Sequence, residues 1–330
     1  MPKEAHPSRP SPAHPSPPRT RPRKLKAGAV TRSIAKRVLH PGHLVRAIKL
    51  QRGRKTNKKA HDDAQLALLS QILPGGYLHY GYFDDVDRAP REISLAEIER
   101  AQRRYAELLV ELAEDKGSAV LDVGCGMGAM SKLLLDHGFH PTALTPDRLQ
   151  AGHIGKEYPQ IPLIRCKFEE LPNPEEHAGR YGTVFTSESL QYLKLDRALP
   201  LLERILKPGG RWIACDYFRI GAGAAEKSGH RWEEFTSRLR DTGWAMDYER
   251  DITPNILPTL RAAHMWATQF GLPLLKFADL KLRVKQPALH YVLQGLFEQI
   301  DGVIDDNLKV IDPAVFASQK KYMLLRIRRA

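Results

Sequence analysis

The sequence contains few cysteines, no long apolar run and almost no acidic residues near its start. Its three cysteines, Cys125, Cys166 and Cys215, are too few for a disulfide framework and lack the spacing of a cysteine metal site. No stretch approaches the roughly 18 consecutive apolar residues that span a bilayer, and the start is too rich in proline for a secretory signal. We therefore expect a cytoplasmic protein with no metal site.

Positions 1–60 contain 17 Lys and Arg and one acid, Glu4, which gives a net charge of +16. The whole chain carries +13, so positions 61–330 carry −3. Eight prolines in the first 22 positions predict a disordered start, and alternating apolar and basic residues over 30–50 are typical of short amphipathic helices. Three roles fit this arm: attachment to an anionic membrane, packing on its own domain, or an organelle transit peptide.

Short apolar runs alternate with helical patterns from residue 94 onward. Ser94 and Glu97 form a capping-box signature, which begins a helix to about Asp115. The expected strands are 119–123, 142–144, 163–166, 183–186, 212–216, 244–249 and 322–327, and helices are expected at 129–137, 148–157, 196–206 and 230–242. The pattern predicts a Rossmann-like, doubly wound α/β fold with a seven-stranded, mostly parallel sheet, one antiparallel strand and a helical lid between the last two strands.

A glycine-rich turn, Val120-Leu-Asp-Val-Gly-Cys-Gly-Met-Gly128, stands between the first expected strand and the following helix. Glycines let the backbone approach a ligand closely, and the helix N-terminus offers free amides to an anionic group. Gly124, Gly126 and Ala129 also satisfy the dinucleotide pattern Gly-x-Gly-x-x-Ala, with Asp147 about 20 residues further on. The glycines alone therefore leave the class of nucleotide open.

Three segments together resemble class I S-adenosylmethionine-dependent methyltransferases. Asp122 precedes the glycines as in that family's first motif. Leu206-Lys-Pro-Gly-Gly-Arg-Trp212 is similar to the family's turn before its fifth strand, and Phe168-Glu-Glu-Leu-Pro172 follows the third strand, where the family binds adenine. The resemblance spans residues 94–217 and implies methyl transfer with S-adenosylmethionine as cofactor.

The resemblance also implies which residues hold the donor. Asp122 and the glycine turn would hold its amino acid portion. Thr145 stands where the family usually has an acid for the ribose, as in members related to cyclopropane fatty acid synthases, sterol methyltransferases and tocopherol methyltransferases. Thr145 and Gln150 are therefore ribose candidates, although the same residues could simply begin a helix. The expected cofactor-binding residues are Asp122, Gly124, Cys125, Gly126, Gly128, Thr145, Gln150, Phe168, Glu169 and Ser187.

Phe168 and Glu169 are the adenine candidates, because Lys167 stands where many members of the family carry an aspartate. Residues after the fourth and fifth strands should face the methyl group, since ligands bind beyond the carboxyl ends of such strands. Glu188 is the candidate base, although it could instead only bond a neighbouring loop. The expected catalytic residues are Glu188, Gln191, Tyr192, Asp216 in reserve, and His79 and Tyr80 of an aromatic segment resembling one that closes over the donor.

The long insertion before the last strand bears on the acceptor. Its large apolar residues include Leu257, Leu260, Met265, Trp266, Phe270, Leu272, Leu274, Leu275, Tyr291, Val292, Leu296 and Phe297. They favour a small hydrophobic, amphiphilic or lipid acceptor, although they could merely pack the lid on the sheet. We therefore divide the chain into a basic arm (1–60), an aromatic cap (61–93) and a methyltransferase domain (94–330) with a lid at 255–311.

Other functions share parts of this pattern. A cyclopropane fatty acid synthase-like enzyme would use the same donor and fold, an NAD(P)-dependent oxidoreductase would use the glycine turn for a pyrophosphate, and an adaptor would bind the donor without turnover. Nucleic acid is not expected as a partner, because residues 61–330 carry −3 and no Asn-Pro-Pro-Tyr motif follows the fourth strand. Peripheral contact with an anionic membrane through the arm is the remaining expected interaction.

Overall fold

The apolar runs of the chain form one sheet in the computed structural model, which describes residues 75–220, 228–287, 289–291 and 308–330 and positions 42, 45, 72 and 304. The chain divides into two compact units, Met1–Arg54 and Lys55–Ala330, and the described residues belong almost entirely to the second. Apart from three single positions, the expected arm at 1–60 and residues 61–74 of the expected aromatic cap lie outside the described residues.

The sheet has seven strands in the order β3-β2-β1-β4-β5-β7-β6. The strands are β1 (Ala119–Val123), β2 (His140–Leu144), β3 (Leu163–Ile164), β4 (Tyr181–Ser187), β5 (Leu206–Arg219), β6 (Trp244–Asp251) and β7 (Lys320–Arg329). Strands β1 to β5 pair in parallel, whereas β7 is antiparallel to both β5 and β6. The expected Rossmann-like sheet with one antiparallel strand is confirmed.

The helices follow the strands closely. They are α1 (Leu95–Glu111), α2 (Ala129–Asp136), α3 (Arg148–Glu157), α4 (Leu195–Ile205), α5 (Trp232–Asp241), α6 (Thr253–Trp266), α7 (Leu272–Lys285) and α8 (Pro313–Gln319). Helix α1 begins with the expected capping box: Glu97 accepts the Ser94 N–H at 2.8 Å, and the Ser94 hydroxyl accepts the Glu97 N–H at 3.3 Å. The helix ends at Glu111, earlier than expected.

Strand β5 begins at Leu206 rather than at the expected Trp212. Tyr181 pairs with Leu206 and Thr183 with Arg211, so the residues between Leu206 and Arg211 bulge out of the ladder. Gly209 adopts φ +75° within this bulge. The glycine-rich segment is therefore an irregularity of the strand and not a turn in front of it, because β4 already pairs with the chain before the glycines.

Both faces of the sheet are covered by hydrophobic cores. Val184 and Trp212 belong to one core cluster, and their neighbours Phe185 and Ile213 belong to the other. Side chains alternate between the faces of a strand, so burial of consecutive residues requires cover on both sides. Helix α1 contributes Tyr105 to the second cluster. The near-continuous apolar runs in the sequence reflect this double cover.

The insertion between β6 and β7 is helical, but its apolar side chains point in two directions. Leu257 and Leu260 of α6 pack against the core, whereas Phe270 and Leu274 are 65% and 68% exposed. The expected single apolar face over the acceptor is therefore corrected: part of it faces solvent. Val292, Leu296 and Phe297 lie outside the described residues. None of the described helices combines the length and apolar character needed to cross a membrane.

The turn after β1 packs directly on the loop after β4. Gly124 has φ +74°, and a Cβ built there would lie 2.4 Å from the Cβ of Ser189. Gly138, after α2, has a similar φ of +81° but no atom within 4 Å of a built Cβ. Both positions favour glycine for their backbone conformation, and only Gly124 also requires it for close approach.

This difference gives a test of the packing. Gly138→Ala should lower the free energy of unfolding by about 1–2 kcal/mol, the cost of a left-handed backbone for an L-residue. Gly124→Ala should cost about 1–3 kcal/mol more, because a methyl group is forced against Ser189. Urea unfolding followed by circular dichroism measures both, with Gly138→Ala as the matched control. Equal losses in the two variants would contradict the close approach.

Candidate active site

A cavity of about 380 Å³ lies beyond the carboxyl ends of β1, β2 and β4. Open α/β sheets bind ligands at this position, and the volume is in the range of small-molecule sites. Many of the expected site residues line it: His79, Asp122, Gly124, Cys125, Gly126, Thr145, Gln150, Ser187, Glu188, Gln191 and Tyr192. Five others do not: Tyr80, Gly128, Phe168, Glu169 and Asp216.

Some backbone amides of the turn after β1 are already hydrogen-bonded within the protein. The amides of Gly124 and Cys125 donate to the Leu144 carbonyl at 2.8 and 3.2 Å. Within the described residues, no backbone bond is found for the amides of Gly126 and Met127. These two amides, and not the whole turn, are left for a ligand.

Gly128 has a packing role instead of a place on the cavity wall. A Cβ built there would lie 2.9 Å from Ile154 and 3.0 Å from Tyr158, both associated with the neighbouring helix α3. Its φ of +88° is also left-handed. Gly128 therefore allows α2 to begin close against α3, which the sequence pattern could not distinguish from ligand contact.

Asp122 is the buried acid at the end of β1. It is 1% exposed, and its Oδ2 accepts the Ser131 hydroxyl at 2.5 Å. Burial raises the pKa of Asp122 to about 6, and the Ser131 hydrogen bond opposes part of that shift. A cationic or hydrogen-bond-donating ligand group would stabilise the charged form. The amino group of S-adenosylmethionine has this character.

Thr145 and Gln150 form a hydrogen-bonded pair on the cavity wall, just after β2. The Thr145 hydroxyl donates to Gln150 Oε1 at 2.6 Å. Asp147 caps α3 by accepting the amides of Leu149 and Gln150 at 2.8 and 2.9 Å. The helix-starting role considered for Thr145 and Gln150 thus belongs to Asp147, and all three residues line the cavity.

The adenine candidates lie away from the cavity. Phe168 is 2% exposed within the core, because the short 3₁₀ turn Phe168–Glu170 directs its ring inward. Glu169 accepts the Lys194 amide at 2.7 Å and thereby fixes the start of α4. Neither residue lines the cavity in the structure, and their contact with adenine stays a prediction.

Glu188 occupies a strained position immediately after β4. Its φ is +49°, which is uncommon for a residue other than glycine and occurs often at functional sites. Its Oε1 accepts the Tyr80 amide at 3.0 Å and the Tyr322 hydroxyl at 2.5 Å. Burial raises the pKa of Glu188 to about 7, and both hydrogen bonds oppose the shift. The carboxyl group can therefore exchange a proton near neutral pH.

Two tyrosines behind Glu188 complete a hydrogen-bonded network that the sequence analysis missed. The hydroxyls of Tyr105 and Tyr322 lie 3.2 Å apart, and Tyr105 also contacts the Cys215 carbonyl and accepts the Ser187 hydroxyl. Both tyrosines are fully buried, which raises their pKa well above the usual value. A tyrosine on an otherwise apolar face is the only sequence signal, since a buried hydroxyl requires a partner.

Asp216 lies one layer behind the cavity, at the end of the expected fifth strand. It accepts the amides of Gln191 and Tyr217 at 2.9 and 2.8 Å. Burial raises its pKa to about 8, and the charge of Glu188 adds to the shift. Asp216 thus holds the loop that carries Gln191 and Tyr192, both of which line the cavity.

In the aromatic segment, the rings of His79 and Tyr80 pack against other aromatic side chains. His79 Nδ1 bonds the Tyr80 carbonyl at 2.8 Å, and its ring stacks on Tyr105 with centroids 4.1 Å apart. Burial lowers the pKa of His79 to about 4, so the ring is neutral. The Tyr80 ring packs against Phe316 and Tyr322, away from the cavity.

Several wall residues were not predicted as site residues. They are Gly76, Tyr77, Leu78, Ala129, Met130, Pro146 and Ser189. Tyr77 and Leu78 belong to the same aromatic, glycine-rich segment as His79, so its composition was the available signal. Ser189 was hidden because its contact with the β1 turn joins distant parts of the chain.

Comparisons with known proteins give a consistent result. A family model described as a methyltransferase domain matches residues 98–271. An S-adenosyl-L-methionine-dependent Diels-Alderase, iccD, of Talaromyces variabilis is 27% identical over 221 residues, 58% of this chain and 73% of that protein. The O-methyltransferase rstn1 of Aspergillus nomiae is 29% identical over 164 residues, 47% and 69% of the two chains.

The fold is also found in solved structures. A geranyl diphosphate C-methyltransferase from Streptomyces coelicolor, solved with S-adenosyl-L-homocysteine, superposes with a TM-score of 0.60 and 18% identity, over 80% of this chain and 92% of that one. At this identity the likeness concerns the fold alone. The family match and the S-adenosyl-L-methionine-dependent relative resolve the choice left open by the glycines in favour of S-adenosylmethionine over a nicotinamide nucleotide.

The raised pKa of Asp122 predicts a pH-dependent affinity for the donor. The folded-state pKa is about 6, so the carboxylate that attracts an amino group is present above that pH and lost below it. We expect calorimetry to show S-adenosylmethionine affinity falling as the pH drops through this value. Asp122→Asn should weaken binding at pH 8 by roughly tenfold to a hundredfold and flatten the profile.

Asp136→Asn is the matched control, because Asp136 is an exposed acid at the end of α2 that pairs only with Lys132 in the described contacts. It should bind the donor like the wild type at every pH. An Asp122→Asn profile parallel to that of the wild type would show that Asp122 does not contact the donor.

Proposed function

The chain belongs to the methyltransferase domain family, and on this basis we propose that it transfers the methyl group of S-adenosylmethionine to a small hydrophobic or amphiphilic acceptor. The proposal rests on one observation: the residues assigned to the donor and the candidate base line the same cavity. Asp122, Gly126 and Thr145, which we assign to the donor, line the same cavity as Glu188, which we assign to the acceptor. Methyl transfer needs mainly such an alignment of donor and acceptor.

The cavity walls fit the donor in shape and charge. Gly126 has φ +54°, and a Cβ built there would reach to 3.4 Å from Leu78, so a side chain would narrow the cavity. We assign the amino group to Asp122, the methionine carboxylate to the amides of Gly126 and Met127, and the ribose to the Thr145 and Gln150 pair. When bound, S-adenosylmethionine supplies a methyl group activated by its positively charged sulfur.

Glu188 is the proposed base. Oε1 is occupied by Tyr80 and Tyr322, whereas Oε2 takes no hydrogen bond among the described residues. The free oxygen accepts the proton that an acceptor hydroxyl loses as its oxygen becomes methylated. Because the pKa is raised to about 7, the base form dominates above neutral pH and is lost below it.

The apolar part of the wall supports a hydrophobic or amphiphilic acceptor. Leu78, Met130 and Tyr192 line the cavity, and Tyr192 is 76% exposed, which places its ring at the rim. The related Streptomyces coelicolor enzyme is named for geranyl diphosphate, an amphiphilic molecule. Membrane contact through the basic arm, where a lipid acceptor would be at hand, is a further part of this proposal and is supported by the +16 charge of residues 1–60. A cytoplasmic location is also proposed, and its support is the low cysteine content.

One relative favours a second candidate function. The Talaromyces variabilis protein is named as a Diels-Alderase that depends on S-adenosyl-L-methionine. In this chain the same cavity would then hold the donor as a fixed part of the wall while an apolar polyene cyclises beside it. Such a reaction yields a product of unchanged mass and consumes no donor.

The experiment incubates the full chain with methyl-labelled S-adenosylmethionine and a panel of phenols, isoprenoid alcohols, isoprenoid diphosphates, polyenes and lipid extracts. We expect label in the organic product of at least one acceptor, at a rate that rises as the pH passes about 7. Product NMR distinguishes a new methyl group from the ring methylene of a cyclopropane. Mass spectrometry of the polyenes detects cyclisation without label.

Glu188→Gln tests the base. It should bind the donor normally and lower the rate of methyl transfer by roughly a hundredfold to ten-thousandfold. Glu175→Gln is the matched control, since Glu175 is an exposed acid that pairs with Arg204 far from the cavity wall. Full activity of Glu188→Gln across the pH range would exclude the proposed base. Donor consumption without label in any panel product, or donor-independent cyclisation, would overturn methyl transfer.

A further inference from the structure

Helix α7 presents a stripe of large apolar side chains to solvent. Leu274, Phe277, Leu280 and Val284 are 68%, 58%, 58% and 71% exposed. Their spacing of three, three and four residues places them along one face of the helix. None of the residues of α7 is buried, and none of them lines the cavity. Exposed apolar patches of this kind mark binding surfaces more often than chance.

Basic residues accompany this stripe. Lys276, Lys281, Arg283 and Lys285 are exposed, and Asp279 is the single acid of the helix, which gives α7 a net charge of +3. Lys281 lies within the stripe itself, with its Nζ 5.6 Å from the centroid of the Phe277 ring. Helix α7 thus offers both apolar side chains that can insert among lipid headgroups and basic residues that attract anionic lipids.

Asp279 makes a contact on the side of α7 away from the stripe. It accepts from His290 Nε2 at 3.0 Å. At 100° per residue, Asp279 lies roughly opposite the centre of the stripe. His290 therefore lies on the side of α7 that faces away from the apolar stripe.

The charge of α7 also bears on which partner could cover the apolar stripe. A second copy placed symmetrically on the stripe would bring two helices of net charge +3 together, and the arm at 1–60 carries +16. Both arrangements would bring like charges close together, which is unfavourable. An anionic lipid surface instead matches the basic residues and accepts the apolar side chains.

We propose that α7 docks on the surface of an anionic lipid bilayer, with Leu274, Phe277, Leu280 and Val284 inserted among the headgroups. The helix joins α6, which packs on the core, through the segment Ala267–Gly271. The domain would thus be held at a membrane where apolar molecules are concentrated. This docking does not depend on which acceptor is methylated, nor on methyl transfer itself.

The test places an environment-sensitive dye on the helix of the full chain. Cys166→Ser removes the half-buried thiol, and the two remaining cysteines, Cys125 and Cys215, are buried. Val284→Cys then carries the dye within the stripe. Leu275→Cys is the matched control, because Leu275 is 51% exposed on the side of α7 away from the stripe. Donor-induced thermal stabilisation checks that each labelled variant is folded.

With vesicles of phosphatidylcholine and phosphatidylserine, we expect the dye at position 284 to shift to shorter emission wavelengths and the dye at position 275 to change little. Vesicles of phosphatidylcholine alone should give a weaker response. Because the dye reports its own position, binding of the basic arm cannot produce the difference. The proposal is overturned if position 284 does not respond, if both positions respond equally, or if raising the protein concentration without lipid gives the same shift.

Discussion

The close approach of two loops fixes the geometry of this site. The turn after β1 can contact the loop after β4 only because Gly124 has no side chain, and the Ser189 hydroxyl then donates to the Val123 carbonyl at 2.5 Å. This contact joins the segment that we assign to the donor with the segment that carries Glu188. In the proposed function, the alignment of donor and base therefore depends on this contact between the two backbone segments.

Three acids lie at or near the carboxyl ends of the parallel strands, and burial raises the pKa of all three. Asp122, Glu188 and Asp216 have pKa values of about 6, 7 and 8. Their hydrogen bonds oppose the shifts but do not cancel them, because removal from water costs the charged form more. The folded protein thus keeps acids poised near neutrality beside a cavity, which is typical of sites that bind cations or move protons.

The lid region has a different character from the sheet. Helix α6 is anchored in the core, whereas α7 exposes both its apolar stripe and its basic residues. From the sequence alone, the apolar residues of both helices could either face the acceptor or pack the lid on the sheet. The structure separates the two helices, because α6 packs on the core whereas no residue of α7 is buried.

Elements with strong local signals could be predicted from the amino-acid pattern alone. The capping box at Ser94, the strand–turn–helix around Gly124 and the alternating apolar runs depend on neighbouring residues, so the seven-stranded fold could be predicted. The tertiary structure decided the rest. Tyr322 reaches Glu188 across 134 residues of chain, Phe168 turns into the core, and Leu274 turns away from it. Such orientations depend on distant partners, and a local pattern of apolar or aromatic residues is the same whichever way they face.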